Sequence, residues 1–235
     1  MTEAADIGII MQARMGSTRL PGKILMPLGS KSLLEHILAR LGRLRHTAQR
    51  VIATSEAPQD DVVAQFCAAH AVACFRGSEQ NVLDRYYRCA SRYGFRQIVR
   101  VTGDNPFLDI EELDNLIALH LAQGSDFAHS FPVLPVGCGS EIFTFAALEK
   151  SWREGAAPHH LEHVDEYMLE HPELFATALL RVNGAKHRPE VRLTVDTPDD
   201  YQRACYIVEK SGQDYVSIPQ AIRLAEEYMD GSARG

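Results

Sequence analysis

The stretch IGIIMQARMGSTRLPGK, residues 7–23, decides how this chain is read. Residues 7–11 form a short apolar run, the pattern of a buried strand. Residues 12–23 then form a polar loop that carries three cations, Arg14, Arg19 and Lys23. Gly16 and Gly22 permit close backbone approach, and Ser17 and Thr18 add hydroxyl donors. In a parallel α/β sheet, ligands bind outside the carboxyl ends of the strands, which is where this loop falls. Arginine forks suit phosphate oxygens, lysine adds a compact charge, and loop amides form concave anion sites. A solvated basic loop is the plainer alternative, but this density of cations and glycines favours a phosphate cradle. It is not the P-loop of NTPases, because five residues separate Gly16 from Gly22 and Ile24 follows the lysine. A GxGxxG dinucleotide fingerprint is absent as well, which disfavours a Rossmann dehydrogenase.

Working outward, apolar runs alternate with helical patterns. Strands are expected at 51–53, 71–75 and 97–101, and helices at 32–44, 60–70, 82–93 and 111–121. That alternation implies right-handed βαβ units and a parallel sheet. The second half is less regular. It reads as strands at 140–145, 176–182 and 191–195, with helices at 159–170, 198–210 and 219–229. Residues 131–139 are rich in Pro and Gly and read as a mobile active-site loop, and 233–235 as a frayed tail. With no repeat or linker, residues 1–235 are read as one domain.

The composition is that of an ordinary soluble protein, with 46% hydrophobic and 23% charged residues. A net charge of −7 gives no support to binding a nucleic acid polymer, which usually needs a basic surface. A nucleotide, by contrast, can be held by a few local cations. Cys67, Cys74, Cys89, Cys138 and Cys205 are scattered without a CxxC pair, so neither a disulfide framework nor a zinc site is expected. The acidic start lacks the pattern of a signal peptide, and no run approaches membrane-spanning length, so a cytoplasmic location is expected.

The run from Gln12 to Lys23 resembles the signature of the SpsF-like cytidylyltransferases of the spore-coat polysaccharide group. These are relatives of the synthetases that make CMP-Kdo and CMP-acylneuraminate. The likeness continues through Ala53-Thr54-Ser55, Arg76-Gly77-Ser78 and Val82-Leu83-Asp84-Arg85-Tyr86. It reaches Arg100-Val101-Thr102-Gly103-Asp104-Asn105-Pro106, Glu162-His163-Val164 and Val195-Asp196-Thr197-Pro198-Asp199-Asp200, in the expected order over nearly the whole chain. The resemblance implies a three-layer α/β fold of the nucleotide-diphospho-sugar-transferase (Rossmann-like) type, with a mostly parallel sheet.

Asp104 and Asp196 are each expected to close a strand near the phosphate loop, where two carboxylates can share a hard cation such as Mg²⁺. Alone, Asp104 also reads as a turn residue before Asn-Pro, and Asp196 as a helix N-cap. The resemblance weights both toward metal. It also implies a nucleotide set of Gln12, Ala13, Arg14, Gly16, Ser17 and Lys23, with Arg76 and Ser78 facing cytosine and ribose. Arg76-Gly77-Ser78 reads equally well as an ordinary strand-to-helix turn. Asp84 and Arg85 fit either a ligand contact or a helix-surface pair, while strand alternation is read as pointing Arg100 away from the site. Asp199 and Asp200 read as first-turn helix charges.

Glu141 and His163 are the candidates for acceptor binding, with a helix-surface histidine as the alternative for His163. His159, His160 and His163 cluster in sequence, but no carboxylate or cysteine pattern beside them supports zinc. The chain departs from the resembled pattern at Leu161, Asp165 and Cys138-Gly139-Ser140, which points to a different acceptor.

The function expected is transfer of CMP from CTP to a sugar acid or a sugar or polyol phosphate, with Mg²⁺ and release of pyrophosphate. Arg14, Arg19, Lys23 and Asp104 are the catalytic candidates. The alternatives are use of UTP, dTTP or ATP on the same fold, or a non-catalytic nucleotide-sugar-binding partner of a glycosyltransferase. A homodimer is a further expectation from the resemblance.

Overall fold

The computed structural model describes residues 6–182 and 184–232. Its strands are β1 (Ile7–Gln12), β2 (Pro27–Leu28), β3 (Lys31–Ser32), β4 (Gln49–Ser55), β5 (Ala73–Gly77), β6 (Gln97–Thr102), β7 (Phe127–His129), β8 (Glu141–Thr144) and β9 (Thr177–Leu179). Its α-helices are α1 (Leu33–Leu41), α2 (Asp61–Ala69), α3 (Val82–Tyr93), α4 (Ile110–Gln123), α5 (Phe145–Glu154), α6 (Pro158–Glu162), α7 (Glu166–Glu170), α8 (Pro198–Ser211) and α9 (Ile218–Ser232). Seven strands form one sheet in the order β5-β4-β1-β6-β8-β7-β9, and β2 and β3 form a separate small ribbon. Within the large sheet only β8 runs against its neighbours, pairing antiparallel with both β6 and β7. The mostly parallel α/β architecture read from the sequence is therefore present.

Side-chain alternation along β1 divides the core. Ile7, Ile9 and Met11 join an apolar cluster with α1, α2, α4, α8 and α9 on one face, whereas Ile10 joins α3, α5 and α7 on the other. Helices thus cover both faces, as parallel strands buried on each side require. The helix ends carry matching local signals. Ser32 and Glu35 form a capping box on α1, Asn81 caps α3, and Gly94 ends α3 in the left-handed conformation.

Two regular elements expected from the sequence are not formed as such. Residues 191–195 are extended but belong to no strand. Their amides and carbonyls bond instead to the 131–139 loop and to the turn after β6, through Val136 N–H to Val191 (2.8 Å), Leu193 N–H to Val136 (2.7 Å) and Val195 N–H to Asp104 (2.9 Å). The loop can approach this closely because Gly137 has φ +95°, and a Cβ there would lie 2.5 Å from Thr194 N. The expected 159–170 helix is broken into α6 and α7, because His163 turns to extended backbone (φ −115°, ψ 109°). The strand β7 was not read from the sequence, since three residues carry too little periodicity. The expected tail at 233–235 lies outside the described residues. No described helix is long and apolar enough to cross a membrane.

Candidate functional site

A cavity of about 620 Å³ opens at the carboxyl ends of β1 and β6. Gln12, Ala13, Arg14, Gly16, Ser17, Arg19 and Lys23 line one side, and Asp104, Asp196 and His163 face them. At its centre, Lys23 Nζ donates to Asp104 Oδ2 at 2.8 Å and to Asp196 Oδ1 at 2.9 Å. Lys23 is 7% exposed, so this is a largely buried three-charge contact rather than a surface pair. Arg19 approaches Asp196 Oδ1 at 3.3 Å, and Arg192 donates to the other oxygen. Burial works to raise the Asp196 carboxyl. The hydrogen bond and charge of Lys23, with Arg19 and Arg192, overcome it and hold the pKa below the usual carboxylate value.

The 12–23 loop is shaped from beneath by Asp60, which is fully buried. Its Oδ1 accepts from Met15 N–H at 2.7 Å, while Oδ2 accepts from Ser55 N–H at 3.2 Å and from the Ser55 hydroxyl. Within the loop, the amides of Ser17 and Gly22 donate to Met15 O, at 2.9 and 3.0 Å, and that of Leu20 to Ser17 Oγ at 3.3 Å. These amides, with that of Met15, are engaged internally, so side-chain cations carry much of the positive charge presented to the cavity. Arg14 reaches across to Glu79 O at 3.3 Å.

Asp196 owes its place to two interactions the sequence does not announce. The backbone bond from Val195 to Asp104 brings the second acid to the first, although Asp196 ends no strand. Asp200 then fixes the turn: its Oδ2 accepts from the amides of Asp196 (3.1 Å) and Thr197 (3.0 Å), and its Oδ1 from Arg192 Nε (3.1 Å) and from Arg203. Asp200 is more than the first-turn charge expected. It is 4% exposed and completes the capping box of α8 with Thr197. Burial works to raise its carboxyl, but the bonds from Asp196, Thr197 and Arg192 hold the pKa at about 2, below the ordinary 3.8. A depressed carboxyl stabilises the fold above its unfolded pKa, and that contribution disappears as pH falls through the folded one. Asp200→Asn is therefore expected to remove on the order of 2 kcal/mol at neutral pH. It should also flatten the acid limb of the stability curve between about pH 4 and pH 2. Denaturation midpoints measured against pH check this, and superimposable acid limbs for the two proteins would overturn it.

Three expected site residues sit elsewhere. Arg76 does not line the cavity. Its guanidinium bonds Ser55 O (3.0 Å), Ala57 O (3.1 Å) and Asp61 (2.7 Å), so it ties β5 to the start of α2. Ser78 accepts from Asn81 N–H at 3.0 Å and shapes the entry to α3, as the turn reading had it. Glu141 is 2% exposed and pairs with Arg100, lying under the cavity and not on its wall. Burial pushes the Glu141 carboxyl up to about 8; Arg100 opposes that rise and Asp165 adds to it.

The cavity wall also holds residues to which the sequence alone assigns no site role: Arg85, Arg100, Thr102, Asn105, Arg192 and Thr194. Arg100 was legible in principle. Ile10 lies beside Arg100 and Gln12 beside Thr102 in the parallel register, so parity puts Arg100 on the side of Gln12. A lone charge inside the run QIVRVT was the signal. Gln12 Oε1 and Arg100 Nε are buried without a hydrogen-bond partner among the described residues.

Comparison with known proteins shows what the chain as a whole is similar to. A family model described as Cytidylyltransferase matches residues 8–222. The chain is 38% identical to the spore coat polysaccharide biosynthesis protein SpsF of Bacillus subtilis, over 97% of each protein. It is 35% identical to a 3-deoxy-manno-octulosonate cytidylyltransferase of Geobacter sulfurreducens over 48% of this chain and 44% of that one. A solved cytidylyltransferase from Leptospira borgpetersenii superposes with a TM-score of 0.87, at 32% identity, covering 97% of this chain and 96% of the other.

Proposed function

This chain belongs to the cytidylyltransferase family, and we propose that it transfers CMP from CTP to a sugar acid or to a sugar or polyol phosphate, releasing pyrophosphate. The observation that carries the reading is the convergence of Asp104 and Asp196 on the Lys23 ammonium, beside a loop that supplies Arg14 and Arg19.

In this reading an acceptor oxygen attacks the α-phosphorus in line. Its bond to phosphorus forms as the bond to the bridging oxygen breaks, and pyrophosphate departs with that electron pair. Such transfer needs positioning and charge neutralisation more than covalent help from the protein. Arg14, Arg19 and Lys23 supply charge for the triphosphate, and Gln12, Ala13, Gly16 and Ser17 bound its pocket. The buried, unsatisfied Gln12 Oε1 and Arg100 Nε are suited to polar groups of a ligand, since such atoms are costly to leave unpaired. His163, Glu162 and Arg100 line the same cavity, and in this reading they are the side chains that meet the acceptor.

The donor set suits a hard divalent cation, because two carboxylate oxygens already gather around one cationic atom in a cavity with room for phosphate oxygens. Asp104 and Asp196 would hold Mg²⁺, which when bound neutralises charge on the leaving pyrophosphate. Lys23 and Arg192 then hold the acids in place from the protein side.

Pyrophosphate release from CTP, UTP, dTTP and ATP, each offered with sugar acids and with sugar or polyol phosphates, tests the reading. CTP with Mg²⁺ is expected to exceed the other nucleotides by at least about tenfold. Equal release from all four would remove the cytidylyl assignment.

A further inference from the structure

Away from the nucleotide cavity, the break between α6 and α7 sorts the histidines. His163 turns into the cavity, while His159 and His160 turn toward α7. There Glu170 supplies the carboxylate that the sequence alone did not place beside them. His159 Nε2 lies 2.8 Å from Glu170 Oε1, and His160 Nε2 lies 2.7 Å from Glu170 Oε2. One ligand atom from each of the three residues lies within 4.8 Å of the others. We propose that His159, His160 and Glu170 form a site for a borderline transition metal of the zinc type, which joins α6 to α7.

The donor chemistry sets the class of ion. Two imidazoles with one carboxylate suit Zn²⁺ and its neighbours, not Mg²⁺ or Ca²⁺, which prefer oxygen ligands. Tetrahedral ligands at the usual zinc distances stand about 3.3 Å apart, so the two His–Glu170 contacts must lengthen by about half an ångström, and the remaining separation, within 4.8 Å, must settle to the same value. His160 is fixed, with its side chain 8% exposed, whereas His159 and Glu170 are 49% and 44% exposed and can adjust. Their exposure also leaves a fourth position open to solvent. Binding carries one local cost. Ala157 N–H donates to His160 Nδ1 at 3.3 Å, which puts the ring proton on Nε2. A metal takes the place of that proton, Nδ1 becomes the protonated nitrogen, and this long bond is given up.

The site has a structural consequence. The two helices that the metal would join flank the turn that carries His163 into the cavity and Asp165 to within 3.6 Å of Arg100. A metal there would pin the acceptor-side turn without touching the nucleotide.

The full chain is titrated with Zn²⁺ in excess Mg²⁺ by calorimetry, and Co²⁺ uptake is followed by its visible absorption. One Zn²⁺ per chain is expected, with a tetrahedral-type Co²⁺ spectrum and a rise in Tm. His159→Ala and Glu170→Gln change exposed side chains, so both should fold, as circular dichroism will show. Each should weaken Zn²⁺ binding by at least about tenfold and lose the Tm rise. Both should keep Mg²⁺-dependent pyrophosphate release, so failure of this site is distinguishable from failure of the nucleotide reading. No stoichiometric uptake by the unmodified chain, or equal affinity in both variants, would overturn the proposal.

Discussion

Asp104→Asn is expected to lower pyrophosphate release about 10³-fold while leaving the fold intact. The substitution keeps shape and removes one charge from the pair of carboxylates that we assign to the divalent ion. Metal assistance is worth several kcal/mol to a developing anionic centre, and each 1.4 kcal/mol is a factor of ten in rate. The fold should not notice, because the backbone of Asp104 does the structural work. Its carbonyl accepts from Val195 N–H at 2.9 Å and from the Thr194 hydroxyl at 3.4 Å, and asparagine keeps both bonds. Lys23 retains Asp196 at 2.9 Å. The measurement is kcat at saturating CTP and Mg²⁺, with circular dichroism and Tm as controls. Near-normal turnover would show that Asp104 is not a required ligand, and a collapsed Tm would show that its role is structural.

Gly8→Val is expected to destabilise the fold by roughly 3 kcal/mol or more. Gly8 lies in β1, an interior strand of the sheet between β4 and β6, and a Cβ built there would stand 2.0 Å from Phe95 Cδ2 and 2.2 Å from Cγ. Phe95 is 2% exposed and stacks on Tyr93 with ring centroids 5.5 Å apart, so its ring has nowhere to retreat. The strand cannot yield either, because Gly8 sits in register with Gln49 on one side and Ile98 on the other. Denaturant unfolding of Gly8→Ala, Gly8→Val and the double variant Gly8→Ala with Phe95→Leu measures the effect. The double variant should recover part of the loss, since the two positions share one space. A Gly8→Ala protein within about 0.5 kcal/mol of the original would sink the argument.

Local pattern and tertiary partnership contributed differently to this protein. The alternation of short apolar runs with helical stretches specified a mostly parallel sheet, because a strand buried on both faces must read as continuously apolar. The crowding of Arg14, Arg19, Lys23 and Gly16 into one loop after the first strand marks the place of the cavity they line. Both signals lie within a few residues of one another, so the sequence carries them by itself. The rest was decided by neighbours distant in the chain. Residues 191–195 have the composition of a strand, yet their partners are the 131–139 loop and Asp104, and those bonds, not a strand end, deliver Asp196. Glu141 and Arg100 are adjacent only because β8 runs against β6, which buries the acid beneath the cavity and turns it into a partner for the arginine. Arg76 is drawn to the carbonyls of Ser55 and Ala57 and away from the cavity lined by Arg14 and Lys23. Glu170 meets His159 and His160 only because His163 breaks the helix between them. In each case a polar or charged side chain is fixed by whichever complementary group the fold brings within about 3 Å. Periodicity says which face a residue takes, but not which distant donor or acceptor it will find there.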